Sequence, residues 1–327
     1  MKPLETFDGF EESLYQVNDQ SFTEIALKLF HFQAKNNPVY AEYIHYLGIR
    51  SASISDISDI PYLPVSFFKN HVIKTGDWQE QTVFTSSGTT GMISSRHFVN
   101  DLNFYLVNAE RCFSFFYGPT SDYTTLALLP SYVERGGSSL IAMIGDFIGR
   151  GGGGFYHNDR QGFLKEVSGS KNKRTVVWGV TYALLDLAEE GELDLSNCIV
   201  FETGGMKGRR KEITREELHE FLSSRFNIST VHSEYGMTEL MSQAYSAGEG
   251  VFRCPPWLKI LLRDPGDPRD VGLERERGGI NVIDLANIHT CAFIETQDVG
   301  KMGQNGSFEV LGRMDNSDIR GCNLLVE

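Results

Sequence analysis

Between residues 81 and 250, short apolar runs alternate with longer amphipathic stretches, and no other feature narrows the fold as much. The runs QTVFTSS (81–87), TTLALLP (124–130), TVVWGV (175–180), NCIVFETGG (197–205) and STVHSEYG (229–236) are rich in β-branched and aromatic residues and read as strands. Asp101–Phe116, Gly137–Ile148 and Thr214–Phe226 carry apolar residues at helical spacing, and the last opens on a capping-box pattern, Thr214 to Glu217. Strand, helix, strand in this rhythm predicts an α/β fold of helix-covered mixed sheets. Residues 1–80 predict a helical N-terminal segment, with Ser21 to Glu24 as a capping box ahead of Ile25, Leu27, Leu29, Phe30 and Phe32. Residues 81–250 form the α/β core. Over 251–327 helices fade, and WLKILLRD, INVIDLA, CAFIETQD and SFEVLG predict a small β-rich subdomain.

Thirty Lys and Arg against 43 Asp and Glu leave a net charge of −13, so no broad positive field attracts nucleic acid or an anionic membrane surface. A small anionic ligand needs only local donors. The five cysteines, Cys112, Cys198, Cys254, Cys291 and Cys322, are scattered without a CxxC pair, which argues against zinc or a disulfide framework and for a reducing compartment. The opening MKPLETFDGFEES lacks the apolar stretch of a signal peptide, and no run approaches the roughly 18 apolar residues of a spanning helix. A cytoplasmic protein without a membrane span is expected.

Glycine, 33 of 327 residues, is clustered where chemistry is expected. The first cluster is Thr85-Ser86-Ser87-Gly88-Thr89-Thr90-Gly91, placed after a predicted strand. Its glycines let backbone amides approach a phosphate and its hydroxyls add donors, although a Ser/Thr/Gly surface turn has the same composition. It is not a Walker A loop, because GxxxxGK[ST] is absent. The second cluster is His232-Ser233-Glu234-Tyr235-Gly236-Met237-Thr238-Glu239, where one loop receives an aromatic ring, a glycine, a hydroxyl and a carboxylate. Such a set can stack on a base, turn sharply, touch phosphate and hold Mg²⁺, or simply start a capped helix. The third is Thr296-Gln297-Asp298-Val299-Gly300 with Gly312-Arg313-Met314-Asp315 and Arg320-Gly321 close behind. An Asp can accept both hydroxyls of a ribose with an Arg beside it, and two Gly/Asp hairpin turns would read the same way.

In this order, about 150, 60 and 15 residues apart, the three resemble the adenylate-forming superfamily of acyl- and aryl-CoA synthetases, adenylation domains and firefly-type luciferases. The resemblance spans roughly residues 60–321, and the short chain with TSSGTTG…SRHF is most similar to LuxE-like acyl-protein synthetases. It implies an ATP-dependent ligase that joins a carboxylic acid, expected to be fatty, to AMP. Ser86, Ser87, Gly88, Thr89, Thr90 and Gly91 would hold phosphate; Tyr235 would stack on adenine against Gly204 and Gly205; Gly236 would belong to the same nucleotide loop; Thr238 would meet the α-phosphate; Glu239 would bind Mg²⁺; Asp298 would take the ribose, with Arg313 beside it. The family's usual Pro-Lys after the phosphate loop is replaced by Met92-Ile93-Ser94-Ser95-Arg96, so Arg96 is a candidate cation, with Lys69, Lys74 and Lys207 as others. The chain is expected to lack the superfamily's C-terminal lid domain. The resemblance then implies acyl transfer to Cys322, beside Arg320, and delivery to an acyl-CoA-reductase-like partner.

Met143, Phe147, Trp178, Met237 and Met241 are candidates for an apolar acyl tunnel, or plain core. Gly151–Gly154 reads as a flexible turn. His97 and His232 read as structural, with His232 a weak candidate near the carboxylate. Two rival readings are a phenylacetate-type aryl- or acyl-CoA ligase and a non-catalytic nucleotide-binding scaffold subunit.

Overall fold

The structure is a computed structural model describing residues 7, 9–86, 93–129, 136–169, 174–204, 213–272 and 274–314. Among them, thirteen strands form one mixed sheet. Its parallel part runs through Gly153–Phe155, Tyr123–Leu128, Arg174–Val180, Cys198–Thr203 and His232–Tyr235. The path continues antiparallel through Ala244–Ser246, Val251–Arg253, Phe308–Arg313, Phe293–Met302, Arg277–Asp284 and Leu258–Arg263. Hydrogen bonding thus crosses residue 250, and the threefold division of the chain stands as a proposal. Thr82–Thr85 and Arg96–Val99 form a separate hairpin.

The central parallel strands Tyr123–Leu128 and Arg174–Val180 are buried on both faces, which explains their nearly continuous apolar runs. Along Arg174–Val180, Val176, Trp178 and Val180 join one core with Phe113 of the helix Leu102–Tyr117 and Phe147 of the helix Ser139–Gly151. Val177 faces the other way, into a second core with Phe163, Leu184, Leu222 and Phe226. Asp101 caps Leu102–Tyr117, accepting from the N–H groups of Asn103 and Phe104, and Thr214 with Glu217 caps Arg215–Phe226 as the sequence pattern predicts.

Two local expectations are corrected. The helix Asp19–Asn36 begins earlier, because Asn18 in an extended conformation caps it and Ser21 closes the capping box by accepting the Asn18 N–H. Gly151–Gly154 is the end of a helix and an edge strand, not a turn: Gly153 pairs with Thr125, and a Cβ at Gly153 would lie 1.9 Å from the Thr125 carbonyl oxygen.

The helix Asp19–Asn36 also anchors the far side of the molecule. Its buried Gln33 donates to the carbonyls of Asn287 and Ile288 and accepts from the Ala292 N–H. Asn37 reaches the Thr290 carbonyl at 2.9 Å. The turn between Arg277–Asp284 and Phe293–Met302 is thereby held, and that turn supports the loop after Tyr235.

Candidate active site

A cavity of about 770 Å³ opens where the parallel strands end. Leu129, Val180, Thr181, Thr203, Gly204, Tyr235 and Gly236 line it from the C-terminal ends of those strands, the edge at which open α/β sheets bind ligands. Phe252, Asp298 and Glu309–Arg313 close the opposite wall. Residues from distant parts of the sequence therefore meet: Thr85, Gly204, Tyr235, Gly236, Thr238, Asp298 and Arg313 all line this cavity.

Asp298 and Arg313 face each other across neighbouring strands, with Arg313 Nε 3.4 Å from Asp298 Oδ1. Tyr235 Oη donates to Asp298 Oδ2 at 2.9 Å. Burial pushes the Asp298 carboxyl up, and the Tyr235 bond and the Arg313 charge work against it. The Tyr235 ring packs edge-on against Phe252 and Phe308. A ring so held keeps its hydroxyl on the carboxylate, and the carboxylate keeps acceptor capacity for a diol.

The loop after Tyr235 is built on buried polar groups. Asp284, fully buried, accepts from the N–H groups of Met241 and Ser242, the Ser242 hydroxyl and the Ala286 N–H. Asn287 donates to the Glu239 carbonyl at 2.8 Å. His97 Nδ1 donates to the Thr238 carbonyl at 2.8 Å, and burial lowers the His97 ring to about 4, so it stays neutral near pH 7. These three residues position Thr238 and Glu239; His97 is structural, as expected.

Other predicted residues lie apart. Glu239 is buried behind the cavity wall against Ser95, its carboxyl pushed up by burial with Arg313 and Lys69 opposing. Ser86 Oγ accepts the Ser95 N–H at the end of the hairpin. Arg96 lies over the Phe98 ring, 5.7 Å away. Lys74 pairs with Glu80 at 2.6 Å. Met143 and Met237 line the cavity, whereas Phe147 and Trp178 pack in the core, Trp178 stacked 4.4 Å from Phe201. Met241 is buried beside a small separate recess. His232 accepts or donates at 3.0 Å to the Tyr117 hydroxyl and is lowered to about 4 by burial. Ser87, Gly88, Thr89, Thr90, Gly91, Gly205, Lys207, Arg320 and Cys322 lie outside the described residues.

Sequence reasoning missed Glu202, Arg215, Glu234 and Gln243, all of which line the cavity. Glu202 accepts from Ser233 Oγ and lies 3.6 Å from Arg215 Nε. Arg215 in turn covers the Phe252 ring and donates to the Val310 carbonyl. Glu234 accepts from Thr203 Oγ1 at 2.7 Å. The available signal was Glu202 at the end of the otherwise apolar run CIVFET, where burial makes a charge expensive; the strand HSEY gave no such contrast for Glu234.

The fold that carries this cavity is similar to part of the fold of solved ligases. ATP-bound MatB from Rhodopseudomonas palustris is 18% identical, superposes with a TM-score of 0.54, and is matched over 71% of this chain and 47% of its own. A malonyl-CoA ligase in a ternary product complex with methylmalonyl-CoA and AMP is 17% identical at a TM-score of 0.50, over 71% of this chain and 52% of its own. The chain thus spans about half the length of these solved ligases. No family model matches the sequence. Among curated proteins, the long-chain-fatty-acid–luciferin-component ligase of Vibrio harveyi is similar, 21% identical over 344 residues that cover 94% of this chain and 88% of the relative.

Proposed function

We propose that this protein is an ATP-dependent, AMP-forming ligase that activates a carboxylic acid as its acyl-adenylate. The observation that carries the reading is the convergence of Gly204, Tyr235, Thr238, Asp298 and Arg313 on one cavity at the strand ends. The acid's carboxylate oxygen attacks the α-phosphorus, the bond to the bridging oxygen breaks, and pyrophosphate leaves. Asp298 takes the ribose hydroxyls, Tyr235 and Gly204 border the base, and Thr238 meets the α-phosphate. Rate comes from positioning and charge stabilisation at that phosphate.

Mg²⁺ is commonly held by one or two carboxylates together with substrate phosphates. Glu239, the carboxylate that the sequence pattern offers beside Thr238, is buried and does not line the cavity, so as placed it does not fit an ion on a substrate phosphate. Among the described residues no cluster of three or more His, Cys, Asp or Glu forms a metal cage.

The similarity to the Vibrio ligase supports a finer reading, an acyl-protein synthetase that takes a fatty acid, passes the acyl group to a thiol and hands it to an acyl-CoA-reductase-like protein. The thiolate attacks the acyl carbonyl and AMP leaves. Burial pushes the Cys112 and Cys291 thiols up to about 12, Cys198 to about 11 and Cys254 further, so these four are poor nucleophiles, which supports assigning the acceptor role to Cys322. No helix among the described residues is long and apolar enough to cross a membrane. A cytoplasmic location remains part of this proposal.

ATP–pyrophosphate exchange across fatty, aryl and hydroxylated acids tests the first step. Exchange with at least one acid is expected; silence with every acid overturns the reading in favour of a nucleotide-binding scaffold. Labelled acid should then remain covalently on the protein, and undiminished labelling of Cys322→Ser would sink the thiol assignment. Release of acyl-CoA on adding CoA, without covalent labelling, would favour the CoA-ligase alternative.

A further inference from the structure

The strand His232–Tyr235 presents two faces to the cavity. Tyr235 turns toward Asp298, Phe252 and Phe308, the side assigned to the nucleoside. Glu234, one residue earlier, turns the other way by the alternation of a β-strand. Its cross-strand partner is Tyr245, whose ring packs on Phe113 of the helix Leu102–Tyr117. Tyr105 from that helix and Met143 from Ser139–Gly151 line the same cavity. If Tyr235 borders the nucleoside, Glu234 faces the acid.

The polar groups on this face are short of donors. Glu234 Oε2 accepts from Thr203 Oγ1, and no other described residue hydrogen-bonds its carboxylate. A Cβ at Gly236 would lie 2.1 Å from Glu234 Oε1 and 3.4 Å from Gln243 Cγ, so glycine leaves that oxygen its space and the two side chains lie together. Gln243 is 3% exposed and its Oε1 has no partner among the described residues. Burial pushes the Glu234 carboxyl up to about 7 despite the Thr203 bond, with Glu202 adding to the rise. A hydrocarbon chain packed here would leave these acceptors desolvated and unpaired, whereas a donor-bearing group would satisfy them.

We propose that Glu234, Gln243 and Thr203 form a specificity site that selects carboxylic acids whose acyl part carries a hydrogen-bond donor, a hydroxyl or amino group, over plain alkyl or aryl acids. This rests on the acid-activating reading above and names its substrate class. It narrows the carboxylic acid of that reading, fatty acids included, to one that carries a donor group.

The test compares matched pairs: octanoate with 3-hydroxy-, 8-hydroxy- and 8-amino-octanoate, and 3-phenylpropanoate with its 4-hydroxy and 4-amino forms. The readout is the ratio of kcat/KM within each pair in ATP–pyrophosphate exchange. A preference of at least about tenfold for one donor-bearing member is expected, because sites with buried acceptors discriminate strongly against analogues that leave them unpaired. Glu234→Leu should bring that ratio toward one, and Gln243→Leu serves the same purpose should the first variant fold poorly. Equal use of plain and donor-bearing acids, or a ratio unmoved in either folded variant, overturns the proposal. Acyl-sulfamoyl-adenosines bearing the same chains separate the two layers by calorimetry. Tight binding without discrimination overturns the specificity site and keeps the adenylating reading; no binding by any of them overturns both.

Discussion

Asp298 holds two partners, the Tyr235 hydroxyl and the Arg313 guanidinium, and still has acceptor sites to spare. Asp298→Ala should weaken ATP binding by about 1–3 kcal/mol, the usual effect of leaving buried donors unpaired, as measured by calorimetric titration. Unchanged affinity would remove Asp298 from the nucleotide site. Glu234 makes a separate prediction about pH. Its carboxyl is raised from 4.5 to about 7, so between those values the folded state keeps a proton that the unfolded chain has released. Stability contributed by this group is therefore present below pH 4.5 and lost as pH rises through 7, by up to about 3 kcal/mol. Glu234→Gln should flatten that decline in denaturant titrations at pH 5 and pH 8; parallel curves for the two proteins would refute it. Asp298 was legible from its short pattern with Gly300 and Arg313. Glu234 was not, because its role depends on which face of a strand meets which helix.

Strands and helices were largely readable from their periods, since burial on two faces writes continuous apolar runs and burial on one face writes a stripe. The exceptions were set by single backbone geometries. Asn18 rather than Ser21 caps the helix Asp19–Asn36, because both residue types suit the position and only the extended Asn18 backbone decides between them. The glycines at 151–154 resembled a flexible turn, yet Gly153, at φ +114°, lies in a region L-residues rarely adopt and presses on the Thr125 carbonyl. Gly153→Ala should destabilise the protein by about 2–4 kcal/mol through strain and a forced shift of the edge strand, read as a lowered thermal midpoint. A midpoint equal to wild type would show that the edge strand has more room than the geometry gives it.

At the scale of the molecule, the cavity is assembled by contacts between segments far apart in sequence. Gln33 bonds to carbonyls more than 250 residues away, and Asp284 gathers the loop that carries Thr238 and Glu239. Asp284→Ala strips four donors of one acceptor group and should cost about 3 kcal/mol or more of stability. Its KM for ATP should rise as the loop loses its support, measured in the exchange assay on protein shown to be folded. An unaltered KM would separate the network from the site.

The sequence by itself determined the order of strands and helices, the α/β class and the small set of glycine- and hydroxyl-rich loops proposed to meet a nucleotide. Those properties are local: hydrophobic period, turn glycine and capping chemistry act over a few residues. The tertiary structure alone decided that Tyr235 and Asp298 share a hydrogen bond, that His97, Asp284 and Asn287 hold the loop between them, and that Glu234 and Gln243 turn toward the opposite side of the cavity. The physical reason is that desolvation and pairing of polar groups are properties of the neighbours that packing supplies, and those neighbours come from remote strands and helices.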